Sequence, residues 1–277
     1  MKKNRHTISW YFRRIIEQKK PIRFIISRVL GKSKLCSLFR IKYQDFELIF
    51  FPSSLSMTLW VDKFDRHEDV VIIEKILSHA DSFIDVGANI GHLSIVGANI
   101  VGKSGKVYAI EPSPRIAEYC RNNILHNKLE NIKILNFAAG ESVNILTLSE
   151  NTADDINHLT QKKNGLDVIV IPLDLIFPND KIKLIKIDVE GWELFVVKGA
   201  KKLLSRTDFI YFEFWDEHTK DLGYNFKSIF FILDELGFLV AKINGKELEF
   251  KDSNAKFPDC TNLIAFRDTS KLVNLLN

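Results

Sequence analysis

The sequence predicts a doubly wound α/β fold, and three observations carry that expectation. From Phe83 onward, short apolar runs alternate with stretches of helical period. The first run ends in a glycine loop, Asp85-Val86-Gly87-Ala88-Asn89-Ile90-Gly91, and acidic residues recur at the ends of later runs, at Glu111, Asp188 and Glu213. Such alternation builds a parallel sheet with helices on both faces. Ligands then collect at the carboxyl ends of the strands.

The 277 residues are 46% hydrophobic and 27% charged, an ordinary globular balance. The length suits one large α/β domain with an appendage. Cys36, Cys120 and Cys260 lie far apart without a C-x-x-C pair, which disfavours a disulfide framework or structural zinc and points to a reducing compartment. No apolar run reaches the roughly 18 residues of a membrane span. The basic N-terminus also lacks the uninterrupted apolar stretch of a cleaved signal. A cytoplasmic protein is expected. Charge is uneven: residues 1–45 hold 13 Lys/Arg against Glu17 and Asp45, whereas the rest carries 26 basic and 33 acidic residues.

Within that basic segment, Ile8, Tyr11, Phe12, Ile15 and Ile16 form one amphipathic stripe and, after Pro21, Ile22, Ile25, Ile26, Val29 and Leu30 form a second. Such helices over residues 7–32 lie on an anionic membrane, as peripheral anchors at its inner face, hold acidic polymers, or pack on the main domain with a solvated basic face. The expected division is therefore a basic helical extension, 1–38, and a main domain, 39–277. Its first part, 39–64, opens with a small β-hairpin over 40–51 about a Gln-Asp turn, and 65–270 forms the core.

Residues 66–79 read as a helix leading into strand 83–86. Helix 91–101, strand 106–110, helix 114–127 and strand 132–137 follow, then a polar, less regular region to about 165. Strand 183–187, helix 192–204, strand 208–214 and helix 226–236 resume the alternation. Residues 238–243 and 246–250 flank Asn244-Gly245, a strong hairpin signal, and a strand at 262–267 completes an antiparallel edge. Gly97 to Ser104 satisfies the phosphate-loop pattern G-x-x-x-x-G-K-S, but a helix precedes it and a strand follows. A phosphate loop needs the reverse order, so this segment reads as a glycine-capped helix end.

The loop 85–91 has the spacing G-x-N-x-G after an aspartate, unlike the G-x-G-x-x-G of dinucleotide enzymes. Glycine serves where the backbone turns sharply or a ligand approaches closely. Glu111, at the tip of the second strand, suits hydrogen bonds from two ribose hydroxyls; a strand-ending acid before Pro112 is the plainer alternative. In Lys186-Ile187-Asp188-Val189-Glu190-Gly191-Trp192-Glu193, alternation puts the Asp188 and Glu190 carboxylates on one side. There they serve as a general base, a metal-binding pair or helix caps. Glu213 sits among aromatics and needs a partner. His218 is a base or a solvated loop residue, and His92 touches a ligand or lies on a helix surface.

These motifs, Asp85 to Gly91, Glu111-Pro112, Leu173-Asp174 and Ile187-Asp188-Val189-Glu190-Gly191 with Lys198-Gly199-Ala200, resemble the FkbM family of S-adenosylmethionine-dependent methyltransferases over roughly residues 65–215. The resemblance implies a class I methyltransferase (Rossmann-like) fold, a seven-stranded sheet with an antiparallel last strand. It also implies that Asp85, Gly87, Ala88, Asn89 and Gly91 surround the methionine part of S-adenosyl-L-methionine, that Glu111 holds the ribose, and that Asp188 lies near the transferred methyl. Family members act mostly on hydroxyls, often of sugars or polyketides. His92 and Trp192 depart from the common pattern.

The expected reaction is therefore O-methylation of a sugar, glycan or related small metabolite, with Asp188 first as base and Glu190 or Glu213 next. The irregular segment with Asn151, Asp154, Asp155 and His158 is expected to recognise the acceptor. Asp188, Glu190 and Glu213 also form a ligand set that a divalent ion accepts, though nothing in the sequence requires a metal. The competing readings are an RNA methyltransferase, favoured by the basic N-terminus but lacking an Asn/Asp-Pro-Pro-Tyr block; a non-catalytic membrane-docked protein of the same fold; and a nicotinamide dehydrogenase, disfavoured by the loop spacing.

Overall fold

A computed structural model describes residues 20–31, 33–149, 159–160 and 165–269. The amphipathic stripe of residues 8–16 and the segment with Asn151, Asp154, Asp155 and His158 lie outside the described residues. Elements are numbered in chain order. Helix α1 (Pro21–Leu30), hairpin strands β1 (Arg40–Lys42) and β2 (Glu47–Ile49), and helices α2 (Ser54–Val61) and α3 (His67–Ile76) precede the main sheet. Then come β3 (Ser82–Val86), α4 (His92–Val101), β4 (Lys106–Ile110), α5 (Pro114–His126), β5 (Ile132–Leu135), β6 (Ala138–Ala139), β7 (Asn144–Leu148), β8 (Leu159–Thr160), β9 (Leu166–Ile171) and α6 (Leu173–Ile176). The rest comprises β10 (Ile182–Ile187), α7 (Glu193–Lys198), α8 (Lys201–Leu204), β11 (Thr207–Phe214), α9 (Asp216–Thr219), α10 (Phe226–Glu235), β12 (Leu239–Asn244), β13 (Glu247–Phe250) and β14 (Thr261–Phe266).

The main sheet has the order β13-β12-β14-β11-β10-β3-β4-β5. Its five strands from β11 to β5 are parallel. Both faces are covered, so β3, β10 and β11 are buried almost throughout, which is why they read as continuous apolar runs. The order reverses between β3 and β10, and the crevice at such a switch point is where a ligand enters an open α/β sheet.

The sheet contains the expected seven strands, with the last strand, β14, antiparallel to both β11 and β12. It lies inside the sheet and not at the edge, with Leu263, Ile264, Ala265 and Phe266 all buried. The edge belongs instead to an eighth strand, β13, folded back on β12 around Asn244-Gly245.

The region read as irregular contains a second, four-stranded sheet ordered β6-β9-β7-β8. Its apolar face is small, formed by Ala138, Leu148, Val168 and Val170, while Ile145 and Ile169 face solvent. Apolar residues on both faces therefore blur the alternation that would mark it in the sequence. The single helix expected at 192–204 is two, α7 and α8, broken at Gly199-Ala200. A Cβ at Gly199 would lie 1.8 Å from the Gly140 carbonyl oxygen, so the loop after β6 occupies the space that a continuous helix needs. Asp174 then caps α8, accepting from the Lys202 and Leu203 amides.

The β1–β2 hairpin is bound to the core through α5. Asn127 accepts from the Glu47 amide and Asn123 from the Ile49 amide at 2.7 Å, while Asn123 donates to the Ile90 carbonyl in the glycine loop. Helix α1 packs on α2 through its polar side: Ser27 is buried, whereas Ile22, Ile25, Ile26 and Val29 are exposed. Its apolar stripe therefore does not pack on the catalytic domain. The phosphate-loop look-alike is the end of α4, with Gly102 at φ +64° as its cap. Among the described residues no helix is long and apolar enough to cross a membrane.

Candidate functional site

The glycine loop follows β3 and opens α4, and its shape is set by close packing within the chain. Gly87 has φ +83°, and a Cβ there would sit 1.9 Å from the Asp188 carbonyl oxygen. The loop after β3 and the turn after β10 are thus pressed together, with the Asp188 amide donating to the Val86 carbonyl. Gly91, at φ +85°, makes room for the Cys120 sulfur. These two glycines yield to the protein's own backbone and side chains, a stricter demand than the ligand approach expected of them. Asn89, also left-handed at φ +50°, accepts from the Ile90 amide.

Glu111 ties the loop to the next strand end. Its two oxygens accept from the Asn89 amide at 3.0 Å and the Ser113 amide at 2.9 Å. The carboxylate is thereby fixed at the tip of β4, as an acceptor. That geometry suits a ribose.

Lys186 lies at the heart of the site, in the central strand β10. It is 4% exposed and bridges Asp188 at 3.0 Å and Asp85 at 3.8 Å. Asp85 also accepts from Ser94 at 2.6 Å. Burial raises Asp85 despite the opposing charge of Lys186. For Asp188, burial pushes upward, but Lys186 and Arg66 outweigh it and hold the carboxyl below the usual range. Arg66, just before α3, lies 3.7 Å from Asp188 and 3.6 Å from Asp69. Asp69 in turn accepts from Tyr211 and Asn262, binding α3 to β11 and β14.

Asp188 and Glu190 do not act as the parallel pair expected from alternation. Strand β10 ends at Ile187, so the period of two stops before them. Asp188 turns to Lys186 and Arg66. Glu190 takes φ +53° and meets His218 of α9, Nδ1 to carboxylate oxygen 3.3 Å. Glu213, from the end of β11, joins this second group: donor atoms of Glu190, Glu213 and His218 lie within 4.8 Å of one another. Among the described residues these three are the set able to hold a divalent ion, with His218 in the place expected for Asp188. Burial and then the Asp188 charge raise Glu213, and Cys260 hydrogen-bonds it.

Glu193 shapes the turn from within. It is buried and accepts from the Val189 and Gly191 amides and from the Tyr224 hydroxyl, so it shapes the turn that carries Glu190. Burial raises its pKa to about 7. A carboxyl raised above its unfolded value stabilises fully below about pH 4.5, and that contribution is lost as pH rises through about 7. Replacement by glutamine keeps the amide acceptor without the charge. Glu193→Gln should therefore flatten the decline in stability between pH 5 and 8, gaining roughly 3 kcal/mol on the parent at pH 8 at about 1.36 kcal/mol per unit. Urea denaturation at both pH values measures this, and an unchanged decline in the variant refutes it.

Asp85, Gly87, Ala88, Asn89, Glu111 and Asp188 line one cleft, together with Arg66, His92, Lys186, Glu190 and Trp192. Gly91 stands behind it, against Cys120. Several buried polar atoms on the cleft lining lack a hydrogen-bond partner: Asp85 Oδ1, both ring nitrogens of His92 and Trp192 Nε1. Buried groups of this kind are costly unless something satisfies them, and the residues that carry them line the cleft. S-adenosylmethionine, the cofactor implied by the resemblance, brings ribose hydroxyls, an ammonium and a carboxylate, and the donors and acceptors present fit them. His92 is inside rather than on a helix surface. Burial lowers its pKa to about 3, with Arg66 and Lys186 adding to the effect, so it is neutral and offers one donor and one acceptor. Lys186, Arg66 and Glu193 were not singled out from the sequence; the register that sets Lys186 opposite Asp85 is the signal that identifies the first.

Comparison with known proteins agrees with this geometry. Residues 85–240 match the family described as Methyltransferase FkbM domain. A protein of Sulfolobus acidocaldarius named probable cobalt-precorrin-6B C(15)-methyltransferase (decarboxylating) is 38% identical over 68 residues, 24% of this chain and 35% of that protein. The chain thus spans about a third of the length of the curated relatives it matches. Among solved structures, a precorrin-6y C5,15-methyltransferase from Geobacter metallireducens is 14% identical, with a TM-score of 0.43 over 72% of this chain and 88% of the other. An rRNA methylase from Streptococcus thermophilus is 12% identical, with a TM-score of 0.40 over 73% and 95%. The family match covers more than half of the sequence and begins at the aspartate that opens the glycine loop, and the chain belongs to the FkbM family of S-adenosylmethionine-dependent methyltransferases.

Proposed function

We propose that the chain transfers a methyl group to a hydroxyl of a sugar, a glycan or a related small metabolite. The observation that carries this reading is the Glu190–His218 pair beside Glu213 at the mouth of the donor cleft. S-adenosylmethionine, when bound, supplies a methyl already activated on a sulfonium. What the protein must add is alignment of the acceptor and a place for the hydroxyl proton. Glu111 fixes the ribose; Asp85, His92 and Arg66 receive the amino-acid end; Asp188, neutralised by Lys186, lies beside the reacting region.

Of the acidic candidates, Asp188 is the weakest proton acceptor because two cations hold it ionised. Glu190 orients His218 through Nδ1, and the imidazole takes the proton, the arrangement in which a carboxylate sets the tautomer of a basic imidazole. Glu213 is the second acceptor within reach. We also infer a cytoplasmic protein that touches the inner face of a membrane through residues 7–32, on the strength of the two basic amphipathic stripes.

Incubation with methyl-labelled S-adenosylmethionine and parallel panels of sugars, glycans and RNA tests the reading. Label should appear in a base-stable ether of a hydroxylated acceptor. Label in RNA, or on nitrogen or carbon, overturns it; cofactor binding without transfer to any acceptor would favour a non-catalytic protein.

A further inference from the structure

We propose that the surface built by α1, α2 and the β1–β2 hairpin is a docking site for an anionic membrane, with a basic groove that receives lipid phosphates. The proposal rests on the peripheral contact inferred above and gives it a described surface and a headgroup chemistry. Two observations meet there. The first is the outward apolar face of α1. Ile22 is 73% exposed and Val29 67%, with Ile25 and Ile26 between them on the same stripe. Leu35, Leu38 and Phe39, just after the helix, are exposed as well. Soluble proteins rarely leave so much adjoining apolar surface in water, and such patches mark partner or membrane contact.

The second observation is the groove beside that face. Lys20, Arg23, Arg40, Lys42 and Lys63 line it, drawn from α1, the hairpin and the loop after α2, and no acidic residue lines it among the described residues. Two of these lysines have a carboxylate beside them: Asp62 is 3.9 Å from Lys20 and Glu47 3.5 Å from Lys42. Trp60 forms the floor, with the Arg23 guanidinium 4.7 Å above its ring. A guanidinium held on an aromatic plane is pre-set for phosphate, and tryptophan beside basic residues suits the headgroup layer.

The pairing of the two features selects the occupant. A polyanion such as RNA satisfies the cations and leaves the isoleucines in water, and a neutral apolar partner does the opposite. An anionic bilayer satisfies both: the α1 face enters the acyl boundary while the groove takes phosphates. The groove also lies close to the cofactor cleft. Lys63 reaches the Tyr43 ring at 5.9 Å, and Tyr43 packs on His92 at 5.2 Å between ring centres. Docking here places the methyl donor near the membrane surface, where a lipid-borne acceptor is found.

Co-sedimentation of the full chain with phosphatidylcholine vesicles, with and without phosphatidylglycerol, tests this. The parent should bind only the anionic vesicles, and salt should weaken binding without abolishing it. Ile22→Asp with Ile26→Asp, and separately Arg23→Glu with Lys63→Glu, should each lower partitioning tenfold or more, since each cation near an anionic surface contributes roughly fivefold. Calorimetric S-adenosylmethionine affinity should stay unchanged in both double variants, which shows that they fold. A parent that ignores anionic vesicles overturns both this proposal and the membrane contact beneath it. Groove variants that bind like the parent, while the isoleucine variants fail, overturn the phosphate groove and leave the contact standing. Tighter binding to RNA than to phosphatidylglycerol vesicles overturns the choice of partner.

Discussion

Replacing Lys186 by methionine should destabilise the fold by about 3–5 kcal/mol near neutral pH, the cost of leaving a buried charge without its partner. Lys186 is the cation between Asp85, buried in β3, and Asp188, partly buried just after β10. Methionine fills the same volume, so the loss reports charge rather than a cavity. Without Lys186 the folded-state pKa of Asp85, already raised by burial, rises further and that of Asp188 is lifted, so the variant escapes part of the penalty by protonating a carboxyl. Stability that depends on that proton is present at low pH and lost as pH rises. The deficit relative to the parent should therefore be larger at pH 8 than at pH 5. Urea denaturation with an unchanged m-value measures it. A deficit below about 1 kcal/mol at pH 8, or one equal at both pH values, refutes the buried triad as an electrostatic unit. Adding Asp188→Asn to the methionine variant should recover part of the loss, a coupling that two independent sites do not show.

The cofactor side of the site was legible because it is written in residues with few other uses. A glycine pair four apart after an aspartate, and an acid before proline at the next strand end, each constrain backbone shape or hydrogen bonding directly. Lys186 was harder to see. In Ile182 to Ile187 two lysines stand three apart, which puts them on opposite faces of a strand. One, Lys183, reaches Asp208 and solvent; the other is buried, and only the register against Asp85 says why. Arg66 was invisible because it enters from the chain before α3, far from the motifs in sequence. The second sheet was missed for a physical reason as well: its strands are short, and exposed Ile145 and Ile169 break the alternation of a half-buried strand.

His218 shows the same limit from the other direction. A lone histidine after a strand carries no sequence signal beyond its proximity to Glu213. What gives it meaning is the left-handed Glu190, held by the Glu193 network and delivered to the His218 ring. A Cβ at Gly191 would lie 2.8 Å from the His218 carbonyl oxygen, so the Asp-Val-Glu-Gly turn needs its glycine for α9 to approach. The motif that marks the family thus also shapes the proposed base, through a residue outside it.

His218→Gln should lower kcat by ~10²–10⁴-fold, the contribution of a positioned general base, while S-adenosylmethionine affinity stays within about twofold. Glutamine retains a polar side chain of similar reach but takes no proton. Glu190→Gln should lower kcat less, because the imidazole keeps its basicity and loses only its orientation. The double variant should be no slower than His218→Gln alone, since residues acting as one unit are not additive. Asp188→Asn is expected to behave differently: it breaks the charge balance with Lys186 and Arg66 and should weaken cofactor affinity. Calorimetry and single-turnover methyl transfer separate these outcomes. If His218→Gln turns over at the parental rate, while Asp188→Asn loses transfer with cofactor affinity intact, the proton goes to Asp188 and the Glu190–His218 pair is structural.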